Sequence, residues 1–219
     1  MADHSRHGGI FITLEGPDGA GKSTQAHALA GRLTGMGRDV VLTREPGGTE
    51  LGERIRAVLL DASAQSHDAL SDALLFNAAR SRHVSQVIRP ALERGAIVVC
   101  DRFSDSSLAY QGYGGGVPLD ALRALAKVAI GDAVPDRTVL IDVSPDAGLG
   151  RRSAGSSEGL NRFETDASQH DAAFHMRVRD GYLELARQEP ERWRVVDGAA
   201  STEHVAEAVW SAVADLFGD

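Results

Sequence analysis

A glycine-rich segment between a predicted strand and a predicted helix most constrains the fold of this chain. Residues 16–23 read GPDGAGKS, directly after the apolar run IFITLE and before the helix-like stretch TQAHALAGRL. This is the phosphate-loop pattern G-x-x-x-x-G-K-[ST] in its strand–loop–helix context, where backbone N–H groups and the helix N-terminus face a nucleotide's phosphates. Lys22 supplies a cation for the β- and γ-phosphates, and Ser23 offers a hydroxyl to Mg²⁺. The predicted nucleotide-binding residues are Gly16, Pro17, Asp18, Gly19, Ala20, Gly21, Lys22, Ser23 and Thr24.

Length and composition are those of one globular domain. The 219 residues are 42% hydrophobic and 25% charged, which suits a single α/β domain with a full core. The net charge of -8 argues against broad binding to nucleic acids or anionic membranes. The single cysteine, Cys100, excludes an intrachain disulfide and a multi-cysteine metal site. Its position at the end of an apolar run predicts a small buried side chain.

The polar start of the chain and the lengths of its apolar runs bear on location. Residues 1–9 lack the apolar core of a secretory signal and are predicted to form a disordered leader. No segment reaches the ~20 consecutive apolar residues of a membrane span. We therefore expect no membrane partner and a cytoplasmic location.

Five apolar, β-rich runs alternate with helical patterns. They are continuous, as in parallel strands covered on both faces, and they read IFITLE (10–15), DVVLTR (39–44), AIVVCD (96–101), TVLIDV (138–143) and WRVVD (193–197). Helical patterns cover 24–36, 51–60, 68–93, 119–130, 167–188 and 202–217. Pro90 is expected to kink or restart the third of them. This alternation predicts a three-layer α/β fold of the P-loop NTPase kind, with a five-stranded parallel sheet flanked by helices, in one domain over residues 10–219.

One segment breaks the alternation. Residues 150–162 read GRRSAGSSEGLNR, which combines glycine and serine with three arginines. This composition is poor at forming a core. A plain surface loop and an arginine-bearing lid that closes over a phosphate site both fit it.

The ends of the second and third strands carry further polar groups. TREPGGT (43–49) turns at the carboxyl end of a strand, where open α/β sheets bind ligands, and it presents Arg44 and Glu45. An ordinary surface ion pair is the alternative there. At the end of the third strand, Asp101 is suited to Mg²⁺ and Arg102 to a phosphate, with a strand-ending salt bridge as the alternative.

Two groups of side chains are suited to a flat base. Phe76 and Arg80 are spaced i, i+4 and share one helical face, so a ring and a guanidinium lie side by side, although a phenylalanine at helical spacing is more often in a core. The other group offers hydroxyl, amide and aromatic chemistry over one or two helical turns, which suits a nucleobase or simple helix packing. Its members are Ser106, Ser107, Tyr110 and Gln111.

These motifs, in this order, resemble those of the bacterial thymidylate kinases. The matching stretches are FITLEGPDGAGKST, TREPGGTELGERIR, LLFNAARSRH, VVCDRFSDSSLAYQGYG and LNRFE, from residue 10 to about residue 164. TREPGGT followed by DR…S..AYQG is far more specific than the phosphate loop alone. The N-K-x-D signature of GTPases and the LSGGQ-type signature of transporter ATPases are absent from the sequence.

The resemblance implies a homodimeric kinase that moves the γ-phosphoryl group of ATP to dTMP, giving dTDP, with Mg²⁺ as cofactor. It implies that the phosphate loop and Lys22 hold ATP, that Asp18 lies near the acceptor, and that Ser23 and Asp101 serve the metal. The positions that it implies for dTMP are Glu45, Phe76, Arg80, Arg102, Ser107, Tyr110 and Gln111. Among these, Phe76 would stack on thymine, Arg80 would contact its edge and Arg102 would hold the phosphate.

The family divides by the position of its catalytic arginine, which lies either in the phosphate loop or in a lid. Gly19 and Ala20 are neutral, so this chain resembles the lid-arginine type, with a lid at about 150–163. Arg151, Arg152 and Arg162 are the candidates, and the expected catalytic set is Asp18, Lys22, Arg102, Arg151 and Arg152. The chain departs from the usual lid pattern at residues 153–155 and at Asn161, and from the usual basic residue after AYQG at 114–116. The arginine that reaches the transferred group is left open.

Two other functions remain open from the sequence. The chain could be another nucleoside monophosphate or deoxynucleoside kinase of the same fold. It could also be a nucleotide-binding module without catalysis, which the altered lid would permit. For a dTMP kinase, we expect dTMP to be preferred over dUMP, which lacks the 5-methyl contact.

Overall fold

The computed structural model describes residues 8–61, 68–155 and 172–218, and they form one sheet with helices on both sides. Its strands are β1 (Ile10–Glu15), β2 (Val40–Arg44), β3 (Ile97–Asp101), β4 (Arg137–Asp142) and β5 (Trp193–Asp197). The α-helices are α1 (Lys22–Gly35), α2 (Glu50–Leu60), α3 (Ala69–His83), α4 (Arg89–Glu93), α5 (Ser104–Ser107), α6 (Leu119–Ile130), α7 (Pro145–Gly155), α8 (Ala172–Gln188) and α9 (Thr202–Ser211). Short irregular helical turns cover Val84–Ile88, Leu108–Gly114 and Ala214–Leu216.

The sheet has the order β2-β3-β1-β4-β5, and every pair of neighbouring strands is parallel. This confirms the predicted three-layer α/β fold with a five-stranded parallel sheet. The three central strands are almost entirely buried, as their continuous apolar sequences predict. The edge strands β2 and β5 are only half covered, and Leu42 and Val195 are exposed.

Alternation along β1 divides its side chains between the two layers of helices. Ile12 and Leu14 pack with α1 and α9 in one core cluster. Phe11 points to the opposite face, where it packs with the Val84–Ile88 turn, α4 and α6. Because side chains alternate along a strand, Glu15 belongs to the same face as Phe11, away from α1. This placement brings a carboxylate beneath the ligand-binding edge of the sheet.

Two helices differ from their sequence-based bounds. The long third pattern is helical to Glu93, but five residues before α4, Val84–Ile88, form a wider π-type turn. Pro90 lacks an N–H and crowds the carbonyl four residues before it, and a wider turn relieves both problems. The last helix ends at Ser211 rather than Phe217. Arg137 of β4 donates to the carbonyl of Ala212 at 2.8 Å, which supplies a partner for this C-terminal carbonyl.

The segment interpreted as a lid begins inside a helix. Residues 150–155 belong to α7, whose N-terminus has Pro145 in its first turn and the Ser144 hydroxyl accepting from the Ala147 N–H. A helix there was not predicted from the glycine and serine content. The rest of the predicted lid, residues 156–163, lies outside the described residues, as do residues 1–7 of the predicted leader and 167–171 of the helical pattern predicted over 167–188.

Cys100 and the lengths of the helices agree with the expectations from the sequence. Cys100 is fully buried and unpaired, and burial raises the pKa of its thiol well above the usual value, as fits a small core side chain. In the described part of the chain, no helix combines the length and the apolar character that crossing a bilayer requires.

Candidate active site

The site lies where the carboxyl ends of β1, β2 and β3 meet. The register of the sheet pairs Leu14 of β1 and Arg44 of β2 with Asp101 of β3. The three loops that follow these strands therefore leave the sheet side by side. This is the edge at which open parallel α/β sheets bind ligands.

The phosphate loop joins β1 to the N-terminus of α1. Gly16, Gly19 and Gly21 all have positive φ angles, and α1 begins at Lys22 with no acidic residue in its first turn. The Lys22 ammonium donates to the carbonyl of Pro17 at 2.8 Å and is buried. Burial lowers the pKa of Lys22 to about 8, and the neighbouring positive charge of Arg102 adds to that effect. The loop thus combines free helical N–H groups with a poorly solvated cation, which suits a phosphate ligand.

Helix α7 lies directly against the phosphate loop. A Cβ atom added to Gly19 would come closer than 3.0 Å to the carbonyl oxygen of Gly148, and one added to Gly148 would also come closer than 3.0 Å to the carbonyl oxygen of Asp18. The two backbones therefore touch with no side chain between them. From the sequence, a glycine at position 19 is expected because the loop binds phosphate. The structure gives a second reason, the close packing of Gly19 against α7, which leads into the predicted lid.

A serine and an aspartate of the sheet edge form a short oxygen cluster. The Ser23 hydroxyl donates to one carboxylate oxygen of Asp101. The other oxygen, Oδ1, is buried and has no hydrogen-bond partner among the described residues. Hydroxyl and carboxylate oxygens suit Mg²⁺, which usually keeps several water ligands and binds through few protein groups. The described residues contain no cluster of three or more His, Cys, Asp or Glu side chains, so they offer this kind of sparse site.

Arg102 follows β3 with a left-handed backbone, φ 69°. Such a conformation is uncommon for a residue with a side chain and is found at functional sites. One guanidinium nitrogen, Nη2, donates to Asp18 at 2.6 Å and to the Tyr110 hydroxyl at 3.1 Å. The other, Nη1, donates to the hydroxyls of two residues, Ser106 and Tyr182, both at 3.1 Å. The arginine is thus fixed in one orientation between the phosphate loop and α8.

Glu15, the last residue of β1, lies under this arginine. Its carboxylate accepts from the Phe103 N–H at 2.7 Å, the Ser106 hydroxyl at 2.6 Å and the Tyr182 hydroxyl at 2.9 Å. Burial, followed by the negative charge of Asp105, raises the pKa of Glu15 to about 7. Sequence reasoning missed this residue, although a carboxylate that ends a buried strand was a visible signal.

A second buried network lies between β2 and α3. Arg80 donates to Glu45 at 2.7 Å, to Asn77 and Ser107 at 3.2 Å each, and to the Phe103 carbonyl at 3.1 Å. His83 lies on the other side of Glu45, with Nδ1 at 3.0 Å from that carboxylate. Arg44, by contrast, pairs with Glu53 in a half-exposed ion pair, the ordinary alternative considered for it. His83 is a further member that the sequence did not single out.

Two adjoining cavities open at this edge of the sheet. A cavity of about 210 Å³ contains all seven positions implied for dTMP in its lining. An adjacent cavity of about 390 Å³ is lined by the phosphate loop from Asp18 to Thr24 except Ala20, and also by Asp101 and Arg151. Gly16, Pro17 and Ala20 do not line it. Four residues line both cavities: Asp18, Glu45, Arg56 and Arg102. Arg56 is another site residue that the sequence pattern did not reveal.

Of the three candidate lid arginines, the structure describes the side chain of Arg151. Arg151 donates to the carbonyl oxygens of Gly198 at 2.7 Å and Ala199 at 3.3 Å, in the loop after β5. It also lines the cavity of the phosphate loop. The side chain of Arg152 and the whole of Arg162 lie outside the described residues.

Comparisons with known proteins agree with this geometry. The sequence profile described as thymidylate kinase matches residues 14–209. The thymidylate kinase of Thermomicrobium roseum is 50% identical, with 94% of this chain and 95% of that protein covered. That of Solidesulfovibrio magneticus is 46% identical, with 95% and 100% covered. The crystal structure of thymidylate kinase from Ehrlichia chaffeensis superposes with a TM-score of 0.75 at 38% identity, over 94% of this chain and 98% of that one. The chain belongs to the thymidylate kinase family.

Proposed function

We propose that this chain transfers the γ-phosphoryl group of ATP to dTMP, giving ADP and dTDP, with ATP in the phosphate-loop cavity and dTMP in the smaller cavity. Membership of the family makes it a nucleoside monophosphate kinase. The observation that carries the assignment of residues is the contact between the two cavities, which share Asp18, Glu45, Arg56 and Arg102. Donor and acceptor phosphates would meet at these shared residues.

The donor side is supported by the phosphate loop. The N-terminus of α1 and the Lys22 ammonium would neutralise the β- and γ-phosphates of ATP. Ser23 and Asp101 would hold Mg²⁺, since their oxygens suit it and Oδ1 of Asp101 is buried without a described partner. When bound, the ion supplies positive charge to the phosphate oxygens.

The acceptor side is supported by the positions of the arginines. Arg102 would hold the dTMP phosphate, because its guanidinium is fixed at the junction of the two cavities. Phe76 would stack on thymine at the far end. Arg80 uses four of its five N–H groups on the described residues, which leaves one at Nη2 for an oxygen of the base. Ser107, Tyr110 and Gln111 also line this cavity.

The chemistry asks for positioning and charge rather than for a strong base. The transition state of phosphoryl transfer is loose and spreads negative charge over the transferred group. The attacking dTMP phosphate is already an anion, so its repulsion from ATP is the larger barrier. Lys22 and Arg102 would lower that repulsion, and Asp18 would hold Arg102 in place. An arginine of the predicted lid would add positive charge beside the transferred phosphoryl group, and Arg151 and Arg152 are the expected catalytic candidates.

A screen of acceptors with ATP tests this function. Purified protein should phosphorylate dTMP best and dUMP less well, because a missing methyl contact costs about 1–3 kcal/mol. A clear preference for another nucleoside monophosphate, or for an unphosphorylated deoxynucleoside, would contradict the assignment. Binding of ATP and dTMP without formation of dTDP would instead indicate an inactive module. The family comparisons favour neither of these alternatives.

We further propose a homodimer in the cytoplasm, where ATP is available as a substrate. Apolar side chains on α2 and α3 support a dimer, because Leu51, Val58, Leu70 and Leu74 are each about half exposed on two helices that pack together. Light scattering of the purified protein measures its mass. A monomer at micromolar concentration would contradict the dimer.

A further inference from the structure

We propose that Glu15 is a positioning residue for the acceptor phosphate, because its carboxylate orients the hydroxyls of Ser106 and Tyr182 so that both can accept from Arg102. This inference rests on the proposed function, in which Arg102 binds the phosphate of dTMP. Glu15 itself lines neither cavity. It would act only through the two hydroxyls.

The position of Glu15 follows from the fold. It is the last residue of β1 and shares the face of Phe11, so its side chain leaves the sheet on the side of α5 and α8, and not toward α1. The carboxylate is fully buried. A buried carboxylate is costly unless its oxygens accept hydrogen bonds, and here three donors reach it. One of them, the Phe103 N–H, fixes Oε1, and both hydroxyls meet Oε2.

The direction of each hydrogen bond is set by the chemistry of the arginine. A guanidinium only donates, so Ser106 and Tyr182 must accept where they meet Nη1 of Arg102. Each hydroxyl has one proton, which it must then donate to an acceptor other than Arg102. Oε2 of Glu15 is 2.6 Å from the Ser106 oxygen and 2.9 Å from the Tyr182 oxygen. The two hydroxyl oxygens are also 2.9 Å apart, close enough for one to donate to the other, but the proton of the second hydroxyl still goes to Glu15.

Glu15 and the two hydroxyls that it orients, those of Ser106 and Tyr182, are called the relay here. The relay holds one side of the Arg102 guanidinium, and Asp18 and Tyr110 hold the other. Nη2 meets Asp18 and Tyr110, whereas Nη1 meets only the two oriented hydroxyls among the described partners. Without an acceptor at Oε2, a hydroxyl proton would turn toward Nη1 and oppose the arginine. The arginine, whose side chain is 18% exposed, would then lose its fixed orientation toward the cavity. Binding of the acceptor phosphate should weaken more than binding of ATP.

The substitution Glu15→Gln tests the relay with almost no change in shape. An amide offers one acceptor oxygen and a donating NH2 group, so it cannot accept from both the Phe103 N–H and the two hydroxyls. We expect the KM and Kd for dTMP to rise about tenfold or more, because a hydrogen bond to a charged group is lost or reversed. The KM for ATP should change far less. Parallel changes in the two KM values would overturn the proposal.

A double-mutant cycle with Tyr182→Phe separates the relay from general packing. If Glu15 acts through the hydroxyl, Tyr182→Phe should weaken dTMP binding in the native chain and have much less effect beside Glu15→Gln. Additive effects would contradict the relay. If Glu15→Gln does not fold, Tyr182→Phe and Ser106→Ala carry the test. Unchanged dTMP binding in both would then overturn the proposal.

The matched control is Asp105→Asn. Asp105 is also a buried carboxylate near Glu15, but its hydrogen bonds go to Arg192 at 2.6 Å and 3.1 Å. This variant should lower the melting temperature and leave the ratio of the two KM values unchanged. Arg102→Ala tests the role of Arg102 separately from that of Glu15. If Arg102→Ala weakens dTMP binding but Glu15→Gln does not, only the relay is wrong; if Arg102→Ala leaves dTMP binding unchanged, the proposed function of Arg102 is wrong as well.

Discussion

Ser23 donates a hydrogen bond to Asp101 across the junction of α1 and β3, and it leaves the second carboxylate oxygen of that aspartate buried without a partner in the described chain. A buried carboxylate oxygen with no donor is costly in free energy. A cation or its water ligands would relieve this cost. The proposed Mg²⁺ site should therefore depend on residue 101.

Asp101→Asn should raise the concentration of Mg²⁺ that gives half-maximal activity. The amide keeps the shape of the side chain but removes its charge, and we expect a shift of about 10- to 100-fold. Titration of MgCl₂ at saturating ATP and dTMP measures it. Asp197→Asn is the control, because Asp197 also ends a strand at this edge but lines neither cavity. An equal shift in both variants would contradict the assignment.

Lys22→Met should lower kcat/KM for ATP by about 100-fold or more, because a cation aimed at the transferred group is lost. Binding of dTMP should be nearly unchanged, since Lys22 lines only the phosphate-loop cavity. Steady-state kinetics with each substrate varied measure both effects. The other lysine of the sequence, Lys127, lies in the last turn of α6 and lines neither cavity. The variant Lys127→Met should therefore have native kinetics. A native rate for Lys22→Met would remove the basis of the donor assignment.

Arg102→Lys should raise the KM for dTMP about tenfold or more even though it keeps the charge. An ammonium cannot reproduce the fork that now meets Asp18, Tyr110, Ser106 and Tyr182. The KM for ATP should change little. Arg89→Lys, in the exposed ion pair with Asp132, is the control and should behave like the native enzyme. If both variants had native dTMP kinetics, the geometry around Arg102 would be unimportant for the acceptor.

Glu15 should make the fold less stable as the pH rises from about 5 to about 7. Its pKa is about 7 in the folded chain and near 4.5 when unfolded, so the folded chain holds a proton that the unfolded chain releases in this window. The ionised carboxylate that accepts from both Ser106 and Tyr182 therefore predominates only above about pH 7, which is the range in which the effect of Glu15→Gln on dTMP binding should be measured. Stability is therefore lost as the pH rises through the window, by an amount on the order of 3 kcal/mol. Urea unfolding at about pH 5 and at about pH 7 measures this difference. Glu15→Gln should reduce it, and an unreduced difference would contradict the role of Glu15.

Gly148→Ala should destabilise the protein by about 1–3 kcal/mol and raise the KM for ATP, because the new methyl group meets the carbonyl of Asp18. Gly150→Ala is a matched control on the same helix, where an added Cβ meets nothing within 4 Å. It should be neutral or stabilise by up to about 1 kcal/mol. Thermal unfolding and ATP kinetics of the two variants measure the contrast. Equal behaviour would mean that α7 does not constrain the phosphate loop.

The fold and the lining of the site were largely readable from local patterns. All five strands were predicted within one residue, since buried parallel strands are continuous apolar runs between turns. Pro90 indicated a disturbance of the third helical pattern but not the π-type geometry of the turn at Val84–Ile88. The end of α9 was not predicted, because the hydrogen bond from Arg137 is a tertiary effect. Arg56, His83 and Tyr182 were missed for a similar reason: partners such as Arg102 and Tyr182, 80 residues apart, meet only after folding. Glu15 did carry a local signal, since it ends a buried strand, but its three donors are 88, 91 and 167 residues away in the sequence.

The contact between Gly19 and Gly148 also bears on where a positive charge can be placed. An arginine at position 19 would need the space that the backbone of α7 occupies, and Ala20 is already buried in the core beneath the loop. An arginine inside the phosphate loop at position 19 would thus require α7 to move away from the loop. Helix α7 also bears Arg151. In this chain a side chain at position 19 and the backbone of α7 would occupy the same space, so steric exclusion by α7, as well as phosphate binding, keeps this position a glycine.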